Sequence, residues 1–284
     1  MRLFRFGDPG QEHSGAVLPD GKRIDCSGFG EDWNEQFFDT GGLSRLASWL
    51  EQHGPDAPVI ADGTRLGPPI CRPSKIVCIG LNYRDHAAET GAELPAEPVI
   101  FFKSTTAIVG PDDDVILPPE STKSDWEVEL AVVIGTVLSH VDKKTAEKGI
   151  AGYCLHNDLS EREYQLERCG QWVKGKSCNT FAPLGPELVT PDELPEPLHL
   201  DMWLTVNGEM LQKSNTRELF FDVPTILSSV SQYMTLLPGD LISTGTPAGV
   251  GLGLDPPRFL KAGDVMELSI DGLGTQRQNV RSFD

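Results

Sequence analysis

Asp125-Trp126-Glu127-Val128-Glu129-Leu130, followed by Ala131-Val132-Val133-Ile134, is the stretch on which the fold of this chain turns. Successive side chains of a strand point to opposite faces. As a strand, this segment places Glu127 and Glu129 on one side and Trp126, Val128 and Leu130 on the other. The run that follows is apolar on both sides, the mark of an internal strand with both faces covered. Two carboxylates then share a small, partly buried space, which is costly unless protons or a cation neutralise them. The plain alternative is a solvated edge strand, since carboxylates are mostly exposed. Asp158, at the end of a strand read over residues 151–157, is the best placed third oxygen. Three carboxylates without cysteine and with few histidines favour a hard cation, Mg²⁺, Mn²⁺ or Ca²⁺, over zinc.

Outward from this strand, further strands are expected over residues 75–80, 98–102 and 202–206, the last leading into an Asn207-Gly208 hairpin turn. The clearest helix after residue 75 spans 223–233, and the glycine-rich segments 241–253 and 263–272 return to strand and turn. Strands outnumber helices and do not alternate with them, which disfavours a parallel β-α-β fold. Residues 1–70 read as a small unit: a strand over 1–6, a Pro19-Asp20-Gly21 turn within 16–23, and a helix over 43–52. Pro68, Pro69 and Pro73 then mark an extended linker, residues 67–74. No internal repeat is visible.

The 284 residues carry a formal net charge of −18. Such a field repels phosphate backbones and anionic lipid, so nucleic-acid or membrane-surface binding would need a basic patch, and none is found. It repels an anionic small substrate as well, so any site for one must reverse the potential locally with cations or a divalent metal. The six cysteines form no C-x-x-C pair and residues 1–10 lack an apolar stretch, from which a reduced cytoplasmic protein is expected. The longest apolar run, around residues 130–138, is far shorter than the roughly 20 residues of a membrane span.

Between the strands at 75–80 and 98–102 lies Gly80-Leu81-Asn82-Tyr83-Arg84-Asp85-His86-Ala87-Ala88-Glu89. If helical, it brings His86 and Glu89 to one face, where a carboxylate beside an imidazole can raise its basicity; a solvated helix surface is the plain alternative. Cations and donors cluster at Arg162 and Gln165, at Lys174 and Lys176, and at Lys103, each of which also reads as an ordinary surface group. Ser243-Thr244-Gly245-Thr246-Pro247-Ala248-Gly249 either presents backbone N–H groups to a carboxylate or is a simple Gly-Pro turn.

In this order, Gly80-Leu81-Asn82-Tyr83 with His86 and Glu89, Pro98-Val99-Ile100-Phe101-Phe102-Lys103, Trp126-Glu127-Val128-Glu129-Leu130, Asn157-Asp158 with Arg162 and Gln165, Lys174-Gly175-Lys176-Ser177, and Ser243-Thr244-Gly245-Thr246-Pro247 resemble the fumarylacetoacetate hydrolase family. The resemblance begins near Lys75 and reaches the C-terminus. It implies an α+β fold, a mixed β-roll over residues 75–284 with a small N-terminal α/β unit over 1–70, and a homodimer. It implies Mg²⁺ or Mn²⁺ at Glu127, Glu129 and Asp158, with Ca²⁺ as a substitute in crystals. It further implies that His86 and Glu89 activate water from a lid, that Lys176, Arg162 and Gln165 stabilise developing negative charge, that Thr246 touches the substrate carboxylate, and that Lys103 also binds substrate.

The activity so implied is hydrolytic cleavage of a carbon–carbon bond in a 2,4-diketo acid, releasing pyruvate. Over the whole chain the sequence resembles members that hydrolyse 2,4-diketo-3-deoxy sugar acids, such as those derived from fuconate or rhamnonate. Oxaloacetate decarboxylation, keto–enol isomerisation and ureidoglycolate lyase activity are the alternatives within the family. A binding protein in which the cation only stabilises the fold is the alternative outside it.

Overall fold

The decisive strand spans Val128–Ile134 and is buried along its whole length. It starts one residue later than the alternation suggests, because the Glu127 N–H bonds the Asn157 side chain (3.2 Å) in place of a ladder partner. In this computed structural model, which describes residues 1–85 and 95–283, the strand lies antiparallel between Ile150–Asn157 and Leu241–Ser243.

These three belong to a ten-stranded mixed sheet. Its order is Arg23–Asp25, His13–Val17, Arg2–Phe6, Leu188–Val189, Ile150–Asn157, Val128–Ile134, Leu241–Ser243, Ile76–Gly80 and Val99–Lys103, with Leu66–Gly67 also on Arg2–Phe6. Leu241–Ser243 and Ile76–Gly80 run parallel and the other pairs antiparallel. The N-terminal unit adds its helices Glu35–Asp39 and Gly42–His53 and enters the sheet through Arg2↔Val189 and Leu3↔Leu188. A second sheet of five strands has the order Glu209–Asn215, Asp201–Val206, Val265–Ile270, Gly274–Arg281 and Val115–Ile116. The result is the α+β class with mixed sheets and a small N-terminal α/β unit.

Two cores explain why the decisive strand is apolar on both faces. Val128, Leu130, Val132 and Ile134 pack with Leu204, Val206, Met266, Leu268 and Val280 of the second sheet. On the opposite face, Ala131 and Val133 pack with Leu3, Ile24, Trp33, Phe37 and Leu46 of the N-terminal unit. The face that carries Glu127 and Glu129 is thus polar at one end and covered by apolar side chains at the other.

Two departures from the sequence reading have a clear physical cause. The helix expected over 223–233 ends at Val230, because the Ser231 carbonyl accepts the His140 N–H (2.8 Å) and its hydroxyl accepts the Val141 N–H (3.1 Å). The strand Gly274–Arg281 was not anticipated, since two of its inward positions are Gln276 and Gln278, both fully buried. Their amides bond the Leu155, Gly185 and Pro111 carbonyls, so a polar alternation does there what an apolar one does elsewhere. Among the described residues no helix is long and apolar enough to cross a membrane.

Leu130 is fully buried between the sheets. Leu130→Ala is expected to remove about 2–5 kcal/mol of stability. Urea denaturation monitored by tryptophan fluorescence measures the change.

Candidate active site

At the polar end of the decisive strand, ligand oxygens of Glu127, Glu129 and Asp158 all lie within 4.8 Å of one another. Strand register does most of this work. Glu129 stands opposite His156, and the Asp158 N–H donates to the Glu127 carbonyl (2.9 Å), so the two strand ends bring the carboxylates together. Glu127 is 6% exposed, Glu129 1% and Asp158 0%. Carboxylates so placed need compensation.

Three buried cations supply part of it. Lys176 Nζ lies 2.7 Å from Glu127 Oε2 and 2.9 Å from Asp158 Oδ2. Lys103 Nζ lies 2.5 Å from Asp158 Oδ1 and also donates to the Leu159 carbonyl (2.9 Å). Arg162 bridges Glu127 Oε1 and Asp125 Oδ2, each at 2.8 Å, and donates to Gln165 Oε1 (3.0 Å). Asp125 is itself held by the N–H groups of Trp126, Gly251 and Leu252.

Four carboxylates thus face three cations, and the unmatched one is Glu129. Among the described residues no Lys, Arg or His forms an ion pair with it. Its Oε2 accepts the Ser243 hydroxyl (2.5 Å) and the Gly245 N–H (3.0 Å). The proton affinities follow this division. Burial raises Glu129 well above the usual carboxylate range, helped by the charges of Asp158 and Glu127. Burial also opposes ionisation of Glu127, but Lys176 and Arg162 outweigh it and hold that group below its ordinary value. Asp158 is likewise lowered, because Lys103 and Lys176 overcome its burial. Lys176 is raised despite burial by Asp158 and Glu127, so it stays charged.

Two glycines allow these approaches. A Cβ on Gly175 would lie 2.3 Å from the Glu161 carbonyl and 2.7 Å from Gln165 Cβ. Its absence lets the short helix Val173–Lys176 press against the Arg162–Gln165 segment and deliver Lys176. Gly245 has φ +100, a conformation L side chains rarely adopt, and its N–H reaches Glu129. Asn82 holds this loop by donating to the Thr244 carbonyl (2.8 Å).

Glu127, Glu129, Arg162, Gln165, Lys176 and Thr246 line a cavity of about 70 Å³, closed on its apolar side by Ile79, Leu81, Phe101 and Trp172. The Lys176 ammonium sits 5.0 Å from the Phe101 ring centroid, and Trp172 meets Phe101 edge-on at 5.3 Å. A larger cleft of about 820 Å³, lined among others by Leu117, Pro257 and Phe259, shares no residue with it. That cleft's Glu209 and Arg258 pair with each other, so the chemistry, not the volume, locates the site.

Of the residues singled out from sequence, Glu127, Glu129, Asp158, Lys103, Arg162, Gln165 and Lys176 converge here. Thr246 lines the cavity, but its hydroxyl donates to the Val128 carbonyl (3.0 Å) and accepts from Gln212 (2.8 Å). Lys103 does not line the cavity; its ammonium is engaged by Asp158 and Leu159. The backbone N–H of the Ser243–Gly249 turn does meet a carboxylate, that of the chain's own Glu129. His86 and Glu89 lie outside the described residues. Asp125, Asn82, His156 and Ser243 had not been given roles. Asp125 stands in the decisive segment itself; the roles of His156 and Ser243 come from strand pairing and that of Asn82 from its contact with the Thr244 carbonyl.

The donor set fits a hard divalent cation: three converging carboxylates, one in excess of the local positive charge and without a cationic partner among the described residues. Glu127, Glu129 and Asp158 would hold it. The fold and this cluster define an α+β protein with a buried carboxylate site. A family model described as "Fumarylacetoacetate (FAA) hydrolase C-terminal" matches residues 75–281. The chain belongs to the fumarylacetoacetate hydrolase family. A protein of Burkholderia ambifaria is 48% identical over 283 residues, covering 99% of each chain. Fumarylacetoacetate hydrolase from Exiguobacterium antarcticum superposes with a TM-score of 0.84 at 35% identity, covering 99% of both chains. Maleylpyruvate hydrolase from Sphingobium sp. SYK-6, in complex with manganese(II) ion and pyruvate, superposes with a TM-score of 0.83 at 30% identity, covering 100% of both.

With Glu129 raised, the cation-free site retains a proton that a divalent cation must displace. Apparent Mg²⁺ or Mn²⁺ affinity is therefore expected to rise with pH, with proton release on binding. Titration calorimetry in two buffers of different ionisation enthalpy measures that release, and equal heats in both would exclude it. Glu127→Gln is expected to weaken binding in the same titration while the chain stays folded.

Proposed function

We propose that the chain is a divalent-cation-dependent hydrolase that cleaves a carbon–carbon bond in a 2,4-diketo acid of the acylpyruvate type and releases pyruvate. A 2,4-diketo-3-deoxy sugar acid is the proposed substrate. The observation that carries this reading is the charge pattern of the buried cluster. Exchange of the Glu129 proton for a divalent cation leaves the cluster one positive charge in excess, and a mono-anionic 2-oxo acid head group then neutralises the cavity. The strongly acidic chain needs such a local reversal to admit an anion. The related maleylpyruvate hydrolase, seen with manganese(II) and pyruvate, supports the same head group here.

When bound, the cation supplies Lewis-acid stabilisation of negative charge at the 2-oxo acid end. The chain's own groups do the rest. Lys176, held charged by Glu127 and Asp158, presents a donor to the cavity beside Arg162 and Gln165, where an oxyanion on the distal carbonyl would develop. Lys103 keeps Asp158 ionised and oriented. The aromatic wall of Phe101 and Trp172 excludes water from the apolar side. His86, assisted by Glu89, is proposed to take the proton from the attacking water. The enzyme is proposed to act as a cytoplasmic homodimer, an assembly that light scattering after size exclusion measures.

A metal-supplemented screen of 2,4-diketo acids, read by pyruvate release, tests the reaction. Turnover is expected with acylpyruvates or diketo-deoxy acids and is expected to vanish with chelator. His86→Ala should lower kcat by about 10²–10⁴-fold. Pyruvate release from oxaloacetate alone, indifferent to His86, would instead assign a decarboxylase. Cation-dependent stabilisation without any product would assign a binding protein.

A further inference from the structure

His156 is completely buried, and its Nε2 has no hydrogen-bond partner among the described residues. A buried, half-satisfied imidazole is an expensive way to fill a strand position that leucine could fill. Its place in the sheet gives it a use. His156 stands opposite Glu129 in the register of Val128–Ile134 with Ile150–Asn157, and Ser243 lies on the neighbouring strand, beside Ala131. The three side chains form one chain of contacts: His156 Nδ1 to Ser243 Oγ at 2.7 Å, and Ser243 Oγ to Glu129 Oε2 at 2.5 Å.

A serine hydroxyl has one proton to give. If that proton points to the carboxylate, the Nδ1 of His156 must carry the hydrogen that Ser243 accepts. A hydrogen on Nε2 would be buried without an acceptor among the described residues, so the imidazole is neutral with Nε2 bare. The ring therefore turns the serine so that its donor faces Glu129 and adds no positive charge to the site. With Oε2 held by Ser243 and the Gly245 N–H, Oε1 is the Glu129 oxygen without a donor among the described residues.

We propose that His156 and Ser243 are a positioning pair that fixes the orientation of the Glu129 carboxylate and thereby sets the cation affinity of the site without touching the cation or the substrate. This rests on the reading of the carboxylate cluster as a cation site. Outer contacts of this kind typically change metal affinity by about 10–100-fold.

The test is calorimetric titration of the full chain with Mn²⁺ and Mg²⁺, with the melting temperature of the cation-free protein measured alongside. Ser243→Ala and His156→Leu should each weaken binding by about tenfold or more. The double variant should be little weaker than either alone, since both act through one contact. His156→Asn, which keeps a donor near the Nδ1 position, should restore most of the affinity. The cation-free His156→Leu protein should melt no lower than the parent, because the substitution removes a buried unsatisfied nitrogen. A role in packing alone gives the opposite pattern, a lower melting temperature with unchanged affinity, and overturns the pair. So does an additive double variant, or His156→Asn binding as weakly as His156→Leu. If the parent chain binds neither cation, the cluster reading itself falls; if it binds and all variants match it, only the positioning pair falls.

Discussion

The buried excess of one carboxylate at the end of the Val128–Ile134 strand is the constraint on which the rest of the site depends. Asp125, Glu127 and Asp158 are matched by Arg162, Lys176 and Lys103, and Glu129 is matched only by a hydroxyl and a backbone N–H. Burial makes this imbalance consequential, because unpaired charge away from water is far costlier than at the surface. The sheet sets the positions of the carboxylates through register, and the close approaches permitted by Gly175 and Gly245 set the positions of their partners.

The same imbalance connects fold to function. A strand covered on both faces by two separate cores is stiff, so carboxylates at its end are held at fixed separation, as a cation site requires. One core is built with the N-terminal unit and the other with the five-stranded sheet, so both parts of the chain support the site. The cavity that results is charged along one side and aromatic on the other.

Much of this was legible in the sequence because strand alternation is a strong local signal. Glu-Val-Glu followed by an uninterrupted apolar run showed the carboxylate pair, its shared face and its burial. The strands near residues 76, 99, 150 and 201 were readable for the same reason, to within a residue or two. The last strand was not, because it turns Gln276 and Gln278 inward and so lacks the apolar alternation that marks a strand. Likewise, nothing local gives the His156 or Ser243 side chain a role: that depends on pairing between strands that are distant along the chain. Taken locally, Lys103, Arg162 and Lys176 read equally well as surface charges, and only the family resemblance put them at the site; the fold sets them against the carboxylates. The roles of His86 and Glu89 rest on family resemblance and not on described geometry.

Anomalous scattering from crystals of the chain soaked in Mn²⁺ locates the cation without reference to activity. One strong anomalous peak bounded by Glu127, Glu129 and Asp158 is expected, with the Glu129 oxygen not held by Ser243 turned toward it. A fully occupied Mn²⁺ elsewhere in the chain, with these three carboxylates still bound only to Lys103, Lys176, Arg162 and Ser243, would contradict it.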